Sequence, residues 1–335
     1  MTTTSASRTH HAAQTHESPA AARATGIVVL LTAVIALVAL AFALPAARSG
    51  PHGVPIGVAG PQAANGQVAA ALDQRAPGAF EVTYYPSRDA LRDAIRDRQV
   101  YGGLAVGPEG RTLLIATGAS PIIAQTLTQL GAGLAQQTPA PPATEDVAPL
   151  PARDPRGAGL AAAALPITLA GILPAVALVF AFRREVWTRL GTAVVFGGVA
   201  AVTITALLYY VLGSIDQNFW GVTAALTVGL LGCGLPILGL GSLFGRAGLA
   251  AGAVLALLVG NPLSGLSSAP EMLPDGWGQV GQWLPQGATA TLLRSAAYFD
   301  GAGATSALAV LACWATAGAA LVIVAAARQR KVSAS

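Results

Sequence analysis

Few residues in this 335-residue chain have the type and spacing to do covalent chemistry. His10, His11 and His16 could make a loose metal site. They sit in a polar stretch with no Cys and one nearby acid, so solvated imidazoles are the simpler expectation. Cys233 and Cys313 fall inside separate apolar runs, which reads as small core residues rather than a disulfide pair. Gly239-Leu240-Gly241 with Gly245 mimics a nucleotide fingerprint, but it ends an apolar run instead of following a strand. With Gly248 and Gly252 these glycines read as small-residue helix packing. A phosphate loop of the form G-x-x-x-x-G-K-[ST] is missing, and Lys331 is the single lysine. His-Glu-x-x-His, Gly-x-Ser-x-Gly and paired-carboxylate arrangements are missing too. The expectation is a non-enzyme without cofactor or metal.

Two clusters suit binding. Arg183-Arg184-Glu185-Val186-Trp187-Thr188-Arg189 is short, basic and carries a tryptophan, which fits either a topology anchor or a docking surface for a cytoplasmic partner. Residues 270–301 hold Trp277, Trp283, Pro285, Gly287 and Arg294 in an aromatic stretch broken by Pro and Gly. Such a stretch fits short helices that dip into a membrane leaflet or lie on it.

The elements that must position these clusters follow from composition. Hydrophobic residues make up 53%, charged residues only 10%, and the mean hydropathy is +0.59. Residues 26–47, 158–182, 191–213, 220–245 and 305–327 contain no Asp, Glu, Lys or Arg. About 20 apolar residues cross a bilayer as a helix. A polytopic α-helical membrane protein follows. The predicted transmembrane helices are 26–47, 158–182, 191–213, 220–244, 248–264 and 306–327, the fifth short and interrupted at Asn261-Pro262. Five spans remain the rival count, with the fifth a re-entrant hairpin, and Leu44-Pro45-Ala46-Ala47 leaves a cleaved signal peptide as an alternative for the first.

Six spans with both termini inside place Arg8, Arg23, Arg183, Arg184, Arg189, Arg246, Arg328, Arg330 and Lys331 in the cytoplasm. The two short outer connections then hold Arg294 alone, as the positive-inside rule favours. That split also explains the net charge of +4 without nucleic acid. Arginine so far outnumbers lysine that the expected setting is a GC-rich bacterium's plasma membrane. No ionisable residue lies within a predicted span, so an ion-coupled carrier lacks its usual relay.

Residues 48–138 are predicted to be an extracytoplasmic α/β domain between the first two spans. Phe80, Val82 and Tyr84 alternate with polar neighbours as a half-buried strand, and Ser87 can cap a helix with a Leu91/Ala94/Ile95 stripe. The expected order is β-α-β-α-β-β-α. Residues 139–157 read as a Pro/Ala-rich linker, 1–25 as a disordered cytoplasmic tail and 328–335 as a second cytoplasmic tail.

The order of these parts carries short motifs: Leu273-Pro274-Asp275-Gly276-Trp277, Trp283-Leu284-Pro285-Gln286-Gly287, Leu293-Arg294 and Tyr298-Phe299 before the last span. Val54-Pro55-Ile56-Gly57-Val58 and Asp97-Arg98-Gln99-Val100-Tyr101-Gly102-Gly103-Leu104 add to them. Together they resemble the type 2 ABC-transporter permeases, particularly the YhgE/phage-infection-protein-like branch. The resemblance implies a homodimer or heterodimer of six-span subunits in the lipid bilayer, energised by a separate cytoplasmic ATPase. It implies that Arg183, Arg184, Glu185, Trp187 and Arg189 touch the ATPase, and that Glu271 to Phe299 form re-entrant helices at the outer end. The implied cargo is a hydrophobic or amphipathic compound, or an envelope component, moved outward. The alternative is a non-transporting scaffold or surface receptor whose outer domain binds a partner.

Overall fold

The computed structural model describes residues 20–108, 110–135 and 142–334. His10, His11 and His16 lie outside the described residues. The chain divides into two units, one ending at Ala41 and the other Phe42–Ser335. The first described helix, α1 (Ala20–Ala47), starts within the stretch expected to be a tail. Its Ile27, Leu30 and Ile35 are all more than half exposed, which suits a lipid environment better than water.

Residues 54–146 build a five-stranded sheet in the order β2-β1-β3-β4-β5. The strands are β1 (Val54–Ala59), β2 (Phe80–Tyr85), β3 (Gly102–Gly107), β4 (Gly110–Ile115) and β5 (Ala143–Asp146). Only the β3–β4 hairpin is antiparallel. Helices α2 (Gln62–Arg75) and α4 (Pro121–Ala135) cover one face, where Leu72, Ile123 and Leu127 meet Val54, Ile56, Leu113 and Ile115. Helix α3 (Arg88–Arg96) covers the other, setting Leu91 and Ile95 against Ala59, Ala105 and Leu114. Strand alternation sorts these residues onto opposite faces. Ser87 caps α3 by accepting from the Ala90 amide at 3.1 Å. Gly57 is needed because a Cβ there would collide with Leu91 of α3.

Strand β5 corrects the domain boundary. Ala143–Asp146 pairs in parallel with β4, so the sheet ends inside the expected 139–157 linker. Glu145 accepts from Arg92 Nε at 3.0 Å and Arg88 Nη2 at 2.5 Å, and Asp146 accepts from the Thr117 hydroxyl at 2.5 Å. The two arginines hold the Glu145 carboxyl down to about 2, chiefly through the hydrogen bonds from Arg92 and then Arg88.

Five helices among the described residues are long and apolar enough to cross a membrane: Ala20–Ala47, Ala158–Ala181, Val186–Val211, Phe219–Phe244 and Thr305–Lys331. The protein is accordingly a largely helical, polytopic one. The second of these is built from α5 (Ala158–Ala162) and α6 (Ala164–Ala181). Helix α7 (Val186–Ala206) continues through a π-helical turn to Val211, starting five residues before the expected 191–213 span. Helix α8 (Phe219–Phe244) is followed by α9 (Arg246–Val254) and a second π-helical turn to Gly260. That last pair replaces the expected 248–264 span. At 1.5 Å per residue it reaches roughly 22 Å, short of a 30 Å hydrocarbon core. Helices α10 (Trp277–Trp283) and α11 (Pro285–Tyr298) precede α12 (Thr305–Ala334), which runs on into the expected 328–335 tail as far as Ala334.

Helix α8 is the hub, touching α6, α7, α9, α11 and α12. Its most apolar stretch is 67% buried, against 39% or less for the other four. Small residues make that packing close. A Cβ on Gly239 would sit 2.7 Å from the Gly318 carbonyl of α12, and one on Gly229 would meet Thr289 of α11 at 2.5 Å. The helix-packing expectation is met at Gly239, Gly241, Gly248 and Gly252, where added carbons meet α12, Leu249, Leu240 and Ile237 respectively. It is not met at Gly245, which faces open space and instead ends α8 with φ of 61°.

Candidate functional site

The basic cluster divides once folded. Only residues 182–185 form the connection, and Val186 already opens α7. Arg183, Arg184, Glu185 and Trp187 are exposed, Trp187 at 54%. Arg189 is 3% exposed. Its guanidinium donates to the carbonyls of Phe182 and Arg183 at 2.5 Å each and to Ser242 Oγ at 3.0 Å. It therefore ties the connection to the end of α8 and offers no surface to a partner. Arg183 and Arg184 sit on the connection, whereas Arg189 sits on α7 three residues after buried Val186 and so shares its inward face. A groove of about 1000 Å³ lies beside it, lined by Arg184, Trp187, Ser242, Leu243, Arg328 and Arg330 among others.

At the other end of the bundle, α10 and α11 form a hairpin against α8. Tyr298 donates to the Ser214 carbonyl at 2.8 Å, and Asn218 Nδ2 donates to the Ala296 carbonyl at 2.8 Å, so the end of α11 lies at the start of α8. Thr289, near the start of α11, approaches Cys233 of α8 at 3.9 Å. Cys233 lies 14 residues into α8, about 21 Å along the axis. The hairpin tip therefore reaches the middle of α8. Pro285 is buried at the first position of α11, where its missing amide costs nothing. Gly287 is buried where a Cβ would collide with the Gly281 carbonyl, so only glycine permits the tight α10–α11 turn. Trp283 is 74% exposed, and its carbonyl accepts from Trp314 Nε1 of α12 at 2.9 Å.

Arg294 is 5% exposed and donates to the carbonyls of Gly265, Leu266 and Ser268 at 3.0, 2.6 and 3.2 Å. It pins the chain that leads from α9 to α10. A guanidinium offers five donors in a planar fork, and Arg294 spreads three bonds over its two Nη atoms.

A cavity of about 690 Å³ separates the sheet unit from this hairpin. Arg98, Tyr101, His52 and Glu81 line it from the sheet unit; Glu271, Asp275, Trp283, Gln282, Thr291 and Arg294 line it from the hairpin side. Trp277 opens α10 at the same place and is partly buried. Arg98 occupies the position after α3 where glycine is usual, with φ of 59°. A left-handed conformation costs a side-chain-bearing residue roughly 1 kcal/mol. Its Nη1 donates to the Thr291 carbonyl at 3.0 Å and to Ser295 Oγ at 2.5 Å, and the guanidinium stacks 5.3 Å from the Phe299 ring centre. Burial lowers its pKa, with Tyr101 and Glu271 opposing. Tyr101 donates to Glu271 Oε2 at 2.6 Å, and burial first, then that carboxylate, push the phenol's pKa upward.

Gln282 completes the inner wall. Its Oε1 accepts from the Thr291 hydroxyl at 2.6 Å, while its Nε2 is buried with no hydrogen-bond partner. Arg98 and Gln282 thus meet at Thr291. Sequence reasoning singled out the 97–104 segment as a motif without giving Arg98 or Tyr101 a role, and passed over Gln282. A long basic side chain at a helix end that normally takes glycine was the one local signal available. Comparison with protein-family models, with curated proteins and with solved structures yields no match to this chain.

Proposed function

We propose that this chain is the membrane-spanning permease subunit of an ATP-driven exporter, of the type 2 ABC-transporter kind, working as a homodimer or heterodimer. In this reading Arg246–Gly260 is a sixth, short span, both termini are cytoplasmic, and residues 48–157 lie outside the cell membrane of a bacterium. The observation that carries the reading is the groove beside residues 182–185. It gathers exposed Trp187 and Arg184 with Arg328 and Arg330, an aromatic anchor among cations at one end of the bundle. Aromatic and arginine anchors in grooves are what protein partners bind most tightly. A cytoplasmic ATPase is the partner proposed for it. The half-depth α10–α11 hairpin beside the last long helix adds support, since it would close the outer end of a transport path.

Docking assigns Arg184 and Trp187 a contact role with Arg183 and Glu185 at its margin, and Arg189 a positioning role. The test is affinity purification of the full chain in mild detergent, followed by ATP hydrolysis in the purified complex. An ATPase subunit should co-purify with the wild-type chain and be lost from a correctly inserted Arg184→Ala/Trp187→Ala variant. Truncating such anchors commonly costs about 2 kcal/mol or more. Undiminished recovery of the ATPase with that variant would remove the docking role. Recovery of no ATPase with the wild-type chain would favour the scaffold reading instead.

A further inference from the structure

We propose that two copies of this chain join at strand β2, whose free edge pairs antiparallel with the same edge of a second copy about a twofold axis at Val82. In the sheet order β2-β1-β3-β4-β5 both β2 and β5 lie at an edge, and the fold treats them differently. Strand β5 has four residues and ends in Glu145 and Asp146, with Arg88 and Arg92 paired to Glu145. Such a short, charged edge offers another strand little. Strand β2 has six residues, Phe80–Tyr85, and pairs with β1 in unbroken register without a bulge. It contains no proline, lysine or arginine, and Glu81 is its single charge. Helices α2 and α3 pack on its faces, and Tyr84 keeps 54% of its surface exposed.

Backbone hydrogen bonds fix which residues face outward. Val54 N–H donates to the Ala79 carbonyl at 2.9 Å, and on the opposite side of β1 the Pro55 carbonyl accepts from Tyr101 N–H at 2.9 Å. Backbone groups alternate sides along a strand, so Glu81, Thr83 and Tyr85 turn toward β1, and Phe80, Val82 and Tyr84 turn outward. Among the described residues nothing bonds to those outward N–H and C=O groups. Such a row is a template for another strand. A second copy of β2 matches it. With Val82 opposite Val82, Phe80 of each copy lies opposite Tyr84 of the other, and all the outward residues exchange both hydrogen bonds. A shift by two residues leaves Phe80 or Tyr84 outside the pairing. Phe80 and Val82 pack on the α2 side of the sheet, and alternation puts Tyr84 there too. Phe80 of one copy and Tyr84 of the other then form aromatic cross-strand pairs, which stabilise sheets. On the other face Glu81 meets Thr83 and not its like-charged counterpart. A contact of this twofold kind closes on itself and ends at a dimer. The exporter reading calls for a dimer and names no surface for it; this edge is one, whether or not an ATPase binds.

The experiment places cysteines on β2 of the full chain in a Cys233→Ala/Cys313→Ala background, purified in mild detergent and oxidised with copper phenanthroline. Directly opposed, hydrogen-bonded residues of an antiparallel pair have Cα atoms about 5.5 Å apart, within disulfide reach. Val82→Cys should therefore give a crosslinked dimer on non-reducing gels. Glu81→Cys and Thr83→Cys chains of different tag size should crosslink to each other about tenfold faster than either does to itself, because only the mixed pair is directly opposed. Tyr84→Pro removes an outward N–H that β1 does not use, at an edge position where proline is tolerated. Added to Val82→Cys, it should slow crosslinking about tenfold while leaving thermal unfolding unchanged. Tyr84→Lys keeps the amide, puts a charge on the edge and should slow crosslinking as well. Absence of a Val82→Cys dimer, self-crosslinking of Glu81→Cys as fast as the mixed pair, or full-rate crosslinking in both Tyr84 variants would overturn the proposal. So would Val82→Cys adducts of other masses in place of the dimer when the oxidation is repeated on cell membranes, since the edge would then belong to another protein's strand. No ATPase enters the experiment, so its outcome is independent of the exporter reading.

Discussion

Replacing Arg294 tests whether one buried cation organises the outer end of the bundle. Its guanidinium makes three hydrogen bonds to carbonyls, at 3.0, 2.6 and 3.2 Å, and is 5% exposed. Hydrogen bonds to a charged group contribute roughly 1.5–3 kcal/mol each, so a plain sum would run from about 4.5 to 9 kcal/mol. Two effects reduce it. Removing the cation also removes its own desolvation cost, and residues 265–268 can shift to let water reach their carbonyls. Breaking a buried charged contact from one side typically costs about 3–5 kcal/mol, which is the expected loss for Arg294→Met. Methionine keeps much of the apolar stem, so the difference reports the polar head. Arg294→Lys should fall between, because an ammonium gathers its three donors on one atom and cannot reproduce the spread of Nη1 and Nη2 across the carbonyls. The assay is thermal unfolding of the purified chain in detergent at fixed scan rate. At roughly 2 °C per kcal/mol the midpoint should drop by about 5–10 °C for Arg294→Met. An unchanged midpoint, or Arg294→Lys as damaging as Arg294→Met, would refute the carbonyl-clamp reasoning.

Glu145→Gln should loosen β5 and change the acid response. The folded carboxyl sits at about 2 against an ordinary 4.5, so its stabilisation is complete above 4.5 and disappears as pH falls toward 2. The variant should lose about 1 kcal/mol at neutral pH, measured by urea unfolding, and show a flatter acid limb, because half-open ion pairs are screened. Cys233 is a buried core residue as expected, whereas Cys313 is exposed on α12 and not in the core, and both are free thiols. A Cys233→Ala/Cys313→Ala chain should assemble normally, and any shift on non-reducing gels of the wild type would count against this. In that cysteine-free background, an impermeant reagent on intact cells should label exposed Asp73→Cys and spare exposed Thr188→Cys. Labelling of both would sink the proposed orientation.

Some of this protein is written locally in its sequence. Uncharged runs of twenty or more residues become helices because hydrocarbon leaves backbone polar groups no other partner than the chain itself. The Phe80–Tyr85 strand and the Ser87 cap with its apolar stripe are equally local and form where they are expected. The alternation fails at the strand's end, where Tyr84 is exposed and Tyr85 packs on the core. The tertiary structure decided the rest, through partners far along the chain. Ala143–Asp146 has no apolar alternation, and it is a strand only because β4 offers an edge and Arg92, 53 residues away, holds Glu145. Arg184 and Arg189 look alike in sequence, yet one faces a groove and the other is spent on carbonyls and Ser242. Arg98 and Gln282 carry no motif of their own, and their meeting at Thr291 depends on the sheet unit docking against α11. Local pattern encodes which surface of an element is apolar; which polar groups converge is set by the packing of elements distant in sequence, and no window of the chain contains that information.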